Sequence, residues 1–295
     1  GKMLLITVGL AYAATFISGF MAYGTSMSLF PYIIEANNAS QDLAQNNTLT
    51  PYFSISIPPL MSVMTALFLA FLLGLGISKI LGESLKNMLN EFKDIISMSI
   101  NYVIIPLLPW HIFGIFLNIT QSGQIMSIMT VFIQIIGIIF ALHIVVLILQ
   151  FSVAGIVTKR NPFKLLVTML PAYFTALGTQ SSAATIPVTL KQTIKNKVNE
   201  DVAGFVIPLC ATIHLSGSTL KIVSCAIALM MMHNTPVEAS NMIYFICMLG
   251  VVMVAAPGVP GGAIMAAISV LQSILGFDES QIALMIALYI TMDNF

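Results

Sequence analysis

A serine pair, a Gly/Pro cluster and a few ionisable side chains interrupt the otherwise apolar stretches of this sequence. Ser181 and Ser182 fall in the break of one hydrophobic segment, Leu165–Leu190, which is interrupted over Gly178–Ala184 with Pro171 and Pro187 on either side. A second segment, Tyr244–Gly276, is interrupted over Pro257–Gly262. A helix that starts at such a break carries roughly half a positive charge and unpaired N–H groups at its N-terminus, which together suit an anion. The Ser181 and Ser182 hydroxyls add donors, and Gly258, Gly261 and Gly262 permit close backbone approach. Small residues also let membrane helices pack closely. A serine pair and a Gly/Pro cluster at two matching breaks favour a binding site over packing alone. Irregular backbone at membrane depth survives only where protein or cavity water satisfies its polar groups. Paired breaks in two halves of a chain are the sequence sign of a transport site.

Between the two segments runs CATIHLSGSTLK, Cys210 to Lys221. Gly217, flanked by Ser216 and Ser218, weakens a helix there by about 1 kcal/mol relative to Ala. An unwound turn frees carbonyls for a cation, with the Thr212 and Ser218 hydroxyls alongside. His214 adjoins this point as a ligand, a proton carrier or a satisfied polar residue. Lys221 costs about 2.5–3.5 kcal/mol at a helix centre, so it must be paired, hydrated or functional. Asp293, an acid inside the last predicted span, bears a similar cost. His143, midway along Ile125–Val157, lacks such a neighbourhood and reads as structural. Cys210, Cys225 and Cys247 lie in apolar segments without metal or disulfide spacing and read as packing residues.

The elements that must hold these residues are membrane spans. The 295-residue chain is 58% hydrophobic and 7% charged, against about 25% charged in soluble domains, and its mean hydropathy is +0.98. Apolar runs near the roughly 20 residues of a spanning helix occur at Met3–Phe30, Pro58–Ile77, Ile95–Leu117, Ile125–Val157, Val202–Met232 and from Ile282 onward. No cleavable signal peptide is visible, and the chain reads as a fragment. The net charge of zero carries no information on partners, because placement matters more than balance here.

Placement sets the topology. Lys79, Lys86 and Lys93 follow the second run, Lys159, Arg160 and Lys164 the fourth, and Lys191, Lys195 and Lys197 the first broken segment. Loops 31–57, 118–124, 233–242 and 277–281 hold no Lys or Arg. The positive-inside rule puts the first set in the cytoplasm and the second outside. Crossing the membrane once, the first broken segment would separate Lys164 from Lys191 against that rule. As a re-entrant hairpin, with arms of about 13 and 8 residues (roughly 20 and 12 Å of helix), it keeps both inside. The second broken segment then enters from the opposite face, near Glu238 and Asp278–Glu279, and the pair forms an inverted repeat.

These residues resemble the dicarboxylate/amino acid:cation symporters, which include the glutamate and aspartate transporters. GTQSSAATIPVTLK is similar to that family's serine-rich first hairpin, and APGVPGGAIM to its second hairpin tip. CATIHLSGSTLK is similar to its unwound-helix motif, usually Ala-Thr-Ile-Asn-Met-Asp-Gly-Thr. The likeness covers Ile95–Phe295 well and Met3–Ile77 loosely. It implies an all-α membrane fold of eight spans and two re-entrant hairpins, working as a homotrimer in the cell membrane by an elevator-like shift of one domain. Two leading spans and the end of the eighth then fall outside this sequence. The expected parts are a transport-domain span at 1–30, an extracellular loop at 31–57, scaffold and trimerisation spans at 58–124, and a transport domain at 125–295 with hairpins at 165–190 and 244–276.

The same resemblance assigns roles. Ser181 and Ser182 bind a substrate carboxylate, while Val259, Pro260 and Gly261 close over it as the outer gate. Ser218 stands where the motif threonine bonds the substrate, and Asp293 where an acid holds the substrate amine, which favours an amino acid over a plain dicarboxylate. Cys210, Thr212, His214, Ser216, Ala256 and Lys221 form the cation-site or coupling set. The departures are His214 for the motif Asn, Leu215 for Met and Ser216 for Asp, so one sodium site has lost its carboxylate. The position that selects the substrate side chain falls three residues beyond Asp293, past Phe295. The expected function is symport of an amino acid or dicarboxylate coupled to Na⁺ and/or H⁺. No enzyme activity, organic cofactor, catalytic residue or nucleic-acid partner is expected, and no metal beyond a possible sodium ion. A channel-type protein remains an alternative, as does an intramembrane serine hydrolase using Ser181 or Ser182 with His214 or Lys221. The latter lacks a Gly-x-Ser-x-Gly elbow.

Overall fold

The computed structural model describes residues 2–36, 61, 63–79, 82–99, 125–256 and 261–293, with scattered positions between 102 and 120. The tip Pro257–Pro260, with the candidates Val259 and Pro260, lies outside the described residues, as do most of loop 31–57 and parts of the runs Pro58–Ile77 and Ile95–Leu117. Among the described residues the structure is helical, without strands. The chain divides into two compact units, one of residues 1–46 with 126–295, the other of residues 47–125.

In the second unit, α2 spans Val63–Ile77 and α3 spans Ser84–Ser99. Leu85, Met88, Leu89, Phe92, Ile95 and Ile96 recur three and four apart on α3 and line one face, with Lys86, Asn90 and Lys93 turned elsewhere. Lys86 and Lys93, which follow the second apolar run, therefore belong to an amphipathic helix.

The first unit opens with α1, Lys2–Ala36, whose 35 residues span about 52 Å, well beyond the roughly 30 Å of a hydrocarbon core. The helix thus runs past Phe30, the expected end of its span. Ala11, Thr15, Ser18, Ala22 and Ser26 are all buried and form a narrow stripe of small side chains along it. That stripe lets α1 lie close against its neighbours. A methyl on Gly19 would come within 2.7 Å of Ile246.

The remaining helices of this unit are α4 (Ile125–Thr158), α5 (Pro162–Thr179), α6 (Ser182–Lys195), α7 (Glu200–Ile213), α8 (Ser216–Met232), α9 (Ala239–Ala255), α10 (Gly262–Leu275) and α11 (Glu279–Thr291). The middle of the unit is α8. Leu220, Ile222, Val223, Ile227 and Leu229 are each fully buried, and α1, α9, α10 and α11 all pack on this helix. The opposite face of α1 exposes Leu5, Ile6, Leu10 and Ile17, a surface suited to lipid rather than water. Lys2–Ile34, Met129–Thr158 and Glu200–Met232 are long and apolar enough to cross a membrane.

Both broken segments form pairs of helices packed on one another, α5 on α6 and α9 on α10. The first is longer than the expected 165–190, running from Pro162 to Lys195. Asn161 caps α5 by accepting from the Phe163 and Lys164 N–H groups, and Pro162 fits the first turn, where no intrahelical donor is needed. Its break is also narrower than Gly178–Ala184, because Gln180 alone takes the left-handed conformation (φ 53°) and Ser181 starts the next helix. Pro171 and Pro187 lie inside the two helices rather than ending them. The second pair likewise starts earlier than Tyr244, at Ala239.

Candidate functional site

The long span Val202–Met232 is broken, three residues before the glycine expected to break it. α7 ends at Ile213, and the backbone leaves helical geometry at His214 (φ −104°, ψ 86°) and Leu215 (φ −114°, ψ 42°). Ser216, Gly217 and Ser218 form the first turn of α8, where N–H groups have no intrahelical acceptor in any helix. A glycine in that first turn is tolerated, so Gly217 does not mark the break. Its lack of a side chain serves a different purpose. A methyl at Gly217 would come within 3.3 Å of His143 Nε2.

His143, read as a structural residue, thus lies against the first turn of α8. Its Nε2 lies 3.2 Å from the Gly217 carbonyl, across to α8, and its Nδ1 lies 2.8 Å from the Ile139 carbonyl in its own helix. Two turns along α4, Gln150 donates to Ser216 Oγ at 3.4 Å. The sign in the sequence was only that polar residues recur at 143 and 150 in an apolar run, seven apart and hence on one helical face.

Lys221 is the buried centre of a second group. Its side chain is 2% exposed, and Nζ lies 3.5 Å from Asp293 Oδ1. The ammonium also donates to the Met292 carbonyl at 3.2 Å and stands 4.6 Å from the centre of the Tyr289 ring, inside cation–π range. The Tyr289 hydroxyl donates to Ser218 Oγ at 2.9 Å. Asp293 does not lie in mid-helix as expected. α11 ends at Thr291, and Asp293 occupies the following turn, with its N–H directed to the Ile290 carbonyl. From there Oδ2 accepts the Gly261 N–H at 2.7 Å. Gly261 has φ 71°, a conformation that disfavours any side chain, and it opens α10. One carboxylate thus joins the start of α10 to the middle of α8.

Three expected residues, Ser218, Gly261 and Asp293, come together around Lys221. Tyr289 and the Met292 carbonyl were not anticipated, although Tyr289 stands one turn before Asp293. Ser181 and Ser182 stand at the start of α6, whose helix packs on α7. Ser181 Oγ accepts the Ala184 N–H at 3.3 Å, an N-cap, and its carbonyl accepts from Thr185 Oγ1 at 2.7 Å. Ser182 is exposed beside it.

The coupling candidates are more dispersed. Thr212 donates to the Leu209 carbonyl at 2.9 Å and is exposed. Ala256 is buried at the end of α9. Cys210 and His214 line a largely apolar cavity of about 740 Å³ formed with α1 and α4. Sodium prefers hard oxygen donors, and here hydroxyls and carbonyls would have to supply them. Among the described residues no group of three or more His, Cys, Asp or Glu converges as a metal centre.

Comparison of the sequence with known proteins identifies the family. A model of the sodium:dicarboxylate symporter family matches residues 1–295. The chain is 33% identical over 154 residues to excitatory amino acid transporter 1 of Ambystoma tigrinum, which covers 52% of this chain and 27% of that protein. It is 31% identical over 140 residues to excitatory amino acid transporter 5 of Homo sapiens, covering 47% of this chain and 25% of that protein. With neutral amino acid transporter A of Bos taurus the identity is 24% over 240 residues, covering 77% of this chain and 43% of that protein. The chain therefore spans less than half the length of each of these relatives. By its sequence match from end to end, the chain belongs to the sodium:dicarboxylate symporter family.

Proposed function

We propose that the complete protein is a multi-pass secondary transporter of the cell membrane that moves a small carboxylate-bearing solute together with a cation. The observation that carries this reading is the 2.7 Å bond from Gly261 N–H to Asp293. It ties the tip of the second helix pair to the turn after α11, beside the broken span. A hydrogen bond from the start of α10 to a side-chain carboxylate is a contact that can open and reclose.

Helix lengths support re-entrant hairpins. α6 and α10 have 14 residues each, or about 21 Å, short of the roughly 30 Å hydrocarbon core. Lys164 and Lys195 lie near the outer ends of α5 and α6, so a hairpin keeps both on one side. On this reading Ser181, Ser182 and the α6 N-terminus receive a substrate carboxylate, with Ser218 as a further contact. The hairpin that starts α10 is the gate, with Gly261 and the neighbouring Val259 and Pro260. The moving body comprises α1 and α4–α11, since α1 packs directly on α7, α8 and α9. An elevator-like shift of that body within a homotrimer, on scaffold spans between 58 and 124, completes the reading.

Coupling follows from charge. Ser216 stands where the family motif carries an acid, and its hydroxyl is engaged by Gln150. Lys221 supplies a fixed positive charge deeper in the same helix. Fewer sodium ions should therefore be coupled than in the glutamate transporters, with a proton carried at His214 as a further contribution. The test is uptake into proteoliposomes under imposed Na⁺ and pH gradients, for the natural protein, Ser216→Asp and Ser181→Ala/Ser182→Ala. Saturable uptake that follows the gradients and weakens in the double serine variant is expected. Non-saturable flux indifferent to either gradient would mean a channel instead.

A further inference from the structure

We propose that the basic side chains at the turn before α5 and at the end of α6 form one binding site for the phosphate headgroup of an anionic lipid. It depends on the membrane setting of these helices and not on which solute is carried. In the sequence the cations fall in two clusters, Lys159, Arg160 and Lys164 in one and Lys191, Lys195 and Lys197 in the other. Topology asks only that both lie on one side. The structure goes further and fastens them together. Arg160 Nη1 donates to the Asn196 carbonyl at 2.5 Å, and Asn196 Nδ2 donates to the Leu165 carbonyl at 3.1 Å.

The placement of the charges is not explained by helix stability. After α4 the Lys159 and Arg160 N–H groups reach the Ile156 and Gly155 carbonyls, and after α6 those of Lys197 and Val198 reach Ile194 and Thr193. Each is a Schellman turn, whose left-handed residue is usually glycine. Here it is lysine both times, Lys159 with φ 54° and Lys197 with φ 58°. Lys164 stands in the first turn of α5, where the helix dipole disfavours a cation. Lys191 and Lys195 lie one turn apart on a shared face of α6. All six side chains are exposed, and among the described residues none forms an ion pair. The sequence has no acid between Asp94 and Glu200. Glu200 and Asp201 open α7, where the dipole suits them.

The depth of the patch selects a lipid. α4 is apolar enough to cross a membrane as far as Thr158, so the cations begin at the next residue. Beside them Ile156 and Val157 are each 77% exposed, Phe163 63% and Val167 61%. Such a rim suits lipid tails, with Lys and Arg reaching from it to the headgroups. A soluble phosphate would gain nothing from the apolar rim. The Arg160 guanidinium keeps further N–H donors after its bond to Asn196, and its fork fits phosphate oxygens. By the positive-inside rule the patch meets the cytoplasmic leaflet, which carries the anionic lipids.

The test is native mass spectrometry of the complete protein in detergent, titrated with phosphatidylglycerol and with phosphatidylcholine of the same chains. A single phosphatidylglycerol per protomer should bind roughly tenfold tighter or more, and added salt should weaken that preference. Each basic residue near the surface is worth about fivefold, so Lys191→Gln/Lys195→Gln/Lys197→Gln should lose roughly tenfold or more. Lys159→Gln/Lys164→Gln should weaken the same bound lipid. The corresponding Lys→Arg triple should keep it, and Lys86→Gln/Lys93→Gln, in the other unit, should leave it unchanged. Should the Gln triple not fold, Lys191→Gln/Lys195→Gln replaces it and should lose about fivefold or more. Equal affinity for the two lipids, or a preference that only one cluster controls, overturns the inference. Displacement of the lipid by millimolar inorganic phosphate overturns it too, in favour of a soluble anion.

Discussion

Replacing Asp293 with Asn should destabilise the protein far beyond the loss of one exposed ion pair, because of what it leaves behind. At a separation of 3.5 Å, two unit charges attract by about 5 kcal/mol at an effective dielectric constant near 20. The Asn oxygen can still accept the Gly261 N–H, so the change falls mainly on Lys221. Its side chain is 2% exposed, and that of Asp293 is 13% exposed, so bulk water does not replace the missing charge. Breaking a buried pair from one side costs about 3–5 kcal/mol, compared with about 0–1 kcal/mol at a surface. At about 2–4 °C per kcal/mol for a chain of this size, the apparent Tm in detergent should drop by about 6–20 °C. Lys221→Met should cost less, since the stranded Asp293 keeps its Gly261 bond and some access to solvent. The double variant should recover much of the loss, giving a coupling of about 2 kcal/mol or more in a double-mutant cycle. Thermal unfolding of the purified protein followed by tryptophan-independent size-exclusion analysis measures all four corners. Losses that add to within about 0.5 kcal/mol would refute the buried pair.

Gly19→Ala should destabilise by about 1–3 kcal/mol through overpacking, because the new methyl falls 2.7 Å from the branched Ile246 side chain; thermal unfolding reads this, and an unchanged Tm would mean α1 sits further from α9. Single cysteines at Lys164 and Lys195 should both react with a membrane-impermeant thiol reagent only from the cytoplasmic face. Reaction from opposite faces would remove the re-entrant hairpin α5–α6. Asp278→Ala should cost about 0.5–2 kcal/mol, as Asp278 closes a capping box with Gln281 at the start of α11. Partial burial pushes the Asp278 carboxyl up, but hydrogen bonds from Ser280 and Gln281 outweigh it and hold the group below its usual range. The stabilisation is therefore complete above the ordinary aspartate range near pH 3.9 and lost as pH falls through the lower folded value. Unfolding midpoints of the natural protein and Asp278→Ala should converge on acidification, and midpoints that diverge would contradict the cap.

The parts legible in the sequence are those that local chemistry dictates. Gly and Pro punctuate both broken segments, and the helices do break there, at Gln180–Ser181 and around Gly261. The break in the long span was misplaced because Gly217 looked weakest by propensity. A first-turn position hides that cost, and the chain turns instead at His214 and Leu215. Lys221 and Asp293 each stood out as too costly to leave alone in an apolar helix, yet nothing in their spacing tied one to the other across 71 intervening steps of chain to Met292. The contact of His143 was hidden for the same reason, since its partner Gly217 is 74 residues away. Helical periodicity reports which face a residue occupies. Which neighbour lies against that face depends on how helices pack, and that information is spread over the small residues of α1 and the buried side of α8.

The two carbonyls facing His143 set a rule of exclusion for its ring. A carbonyl oxygen only accepts, and a neutral imidazole owns a single N–H. In the neutral ring, then, either Ile139 or Gly217 receives the proton, and the other oxygen confronts a lone pair. With the proton on Nδ1 the bond closes a turn inside α4, and with it on Nε2 the bond spans two helices. A shift of tautomer thus fastens or releases α4 from the start of α8 while every heavy atom stays where it is.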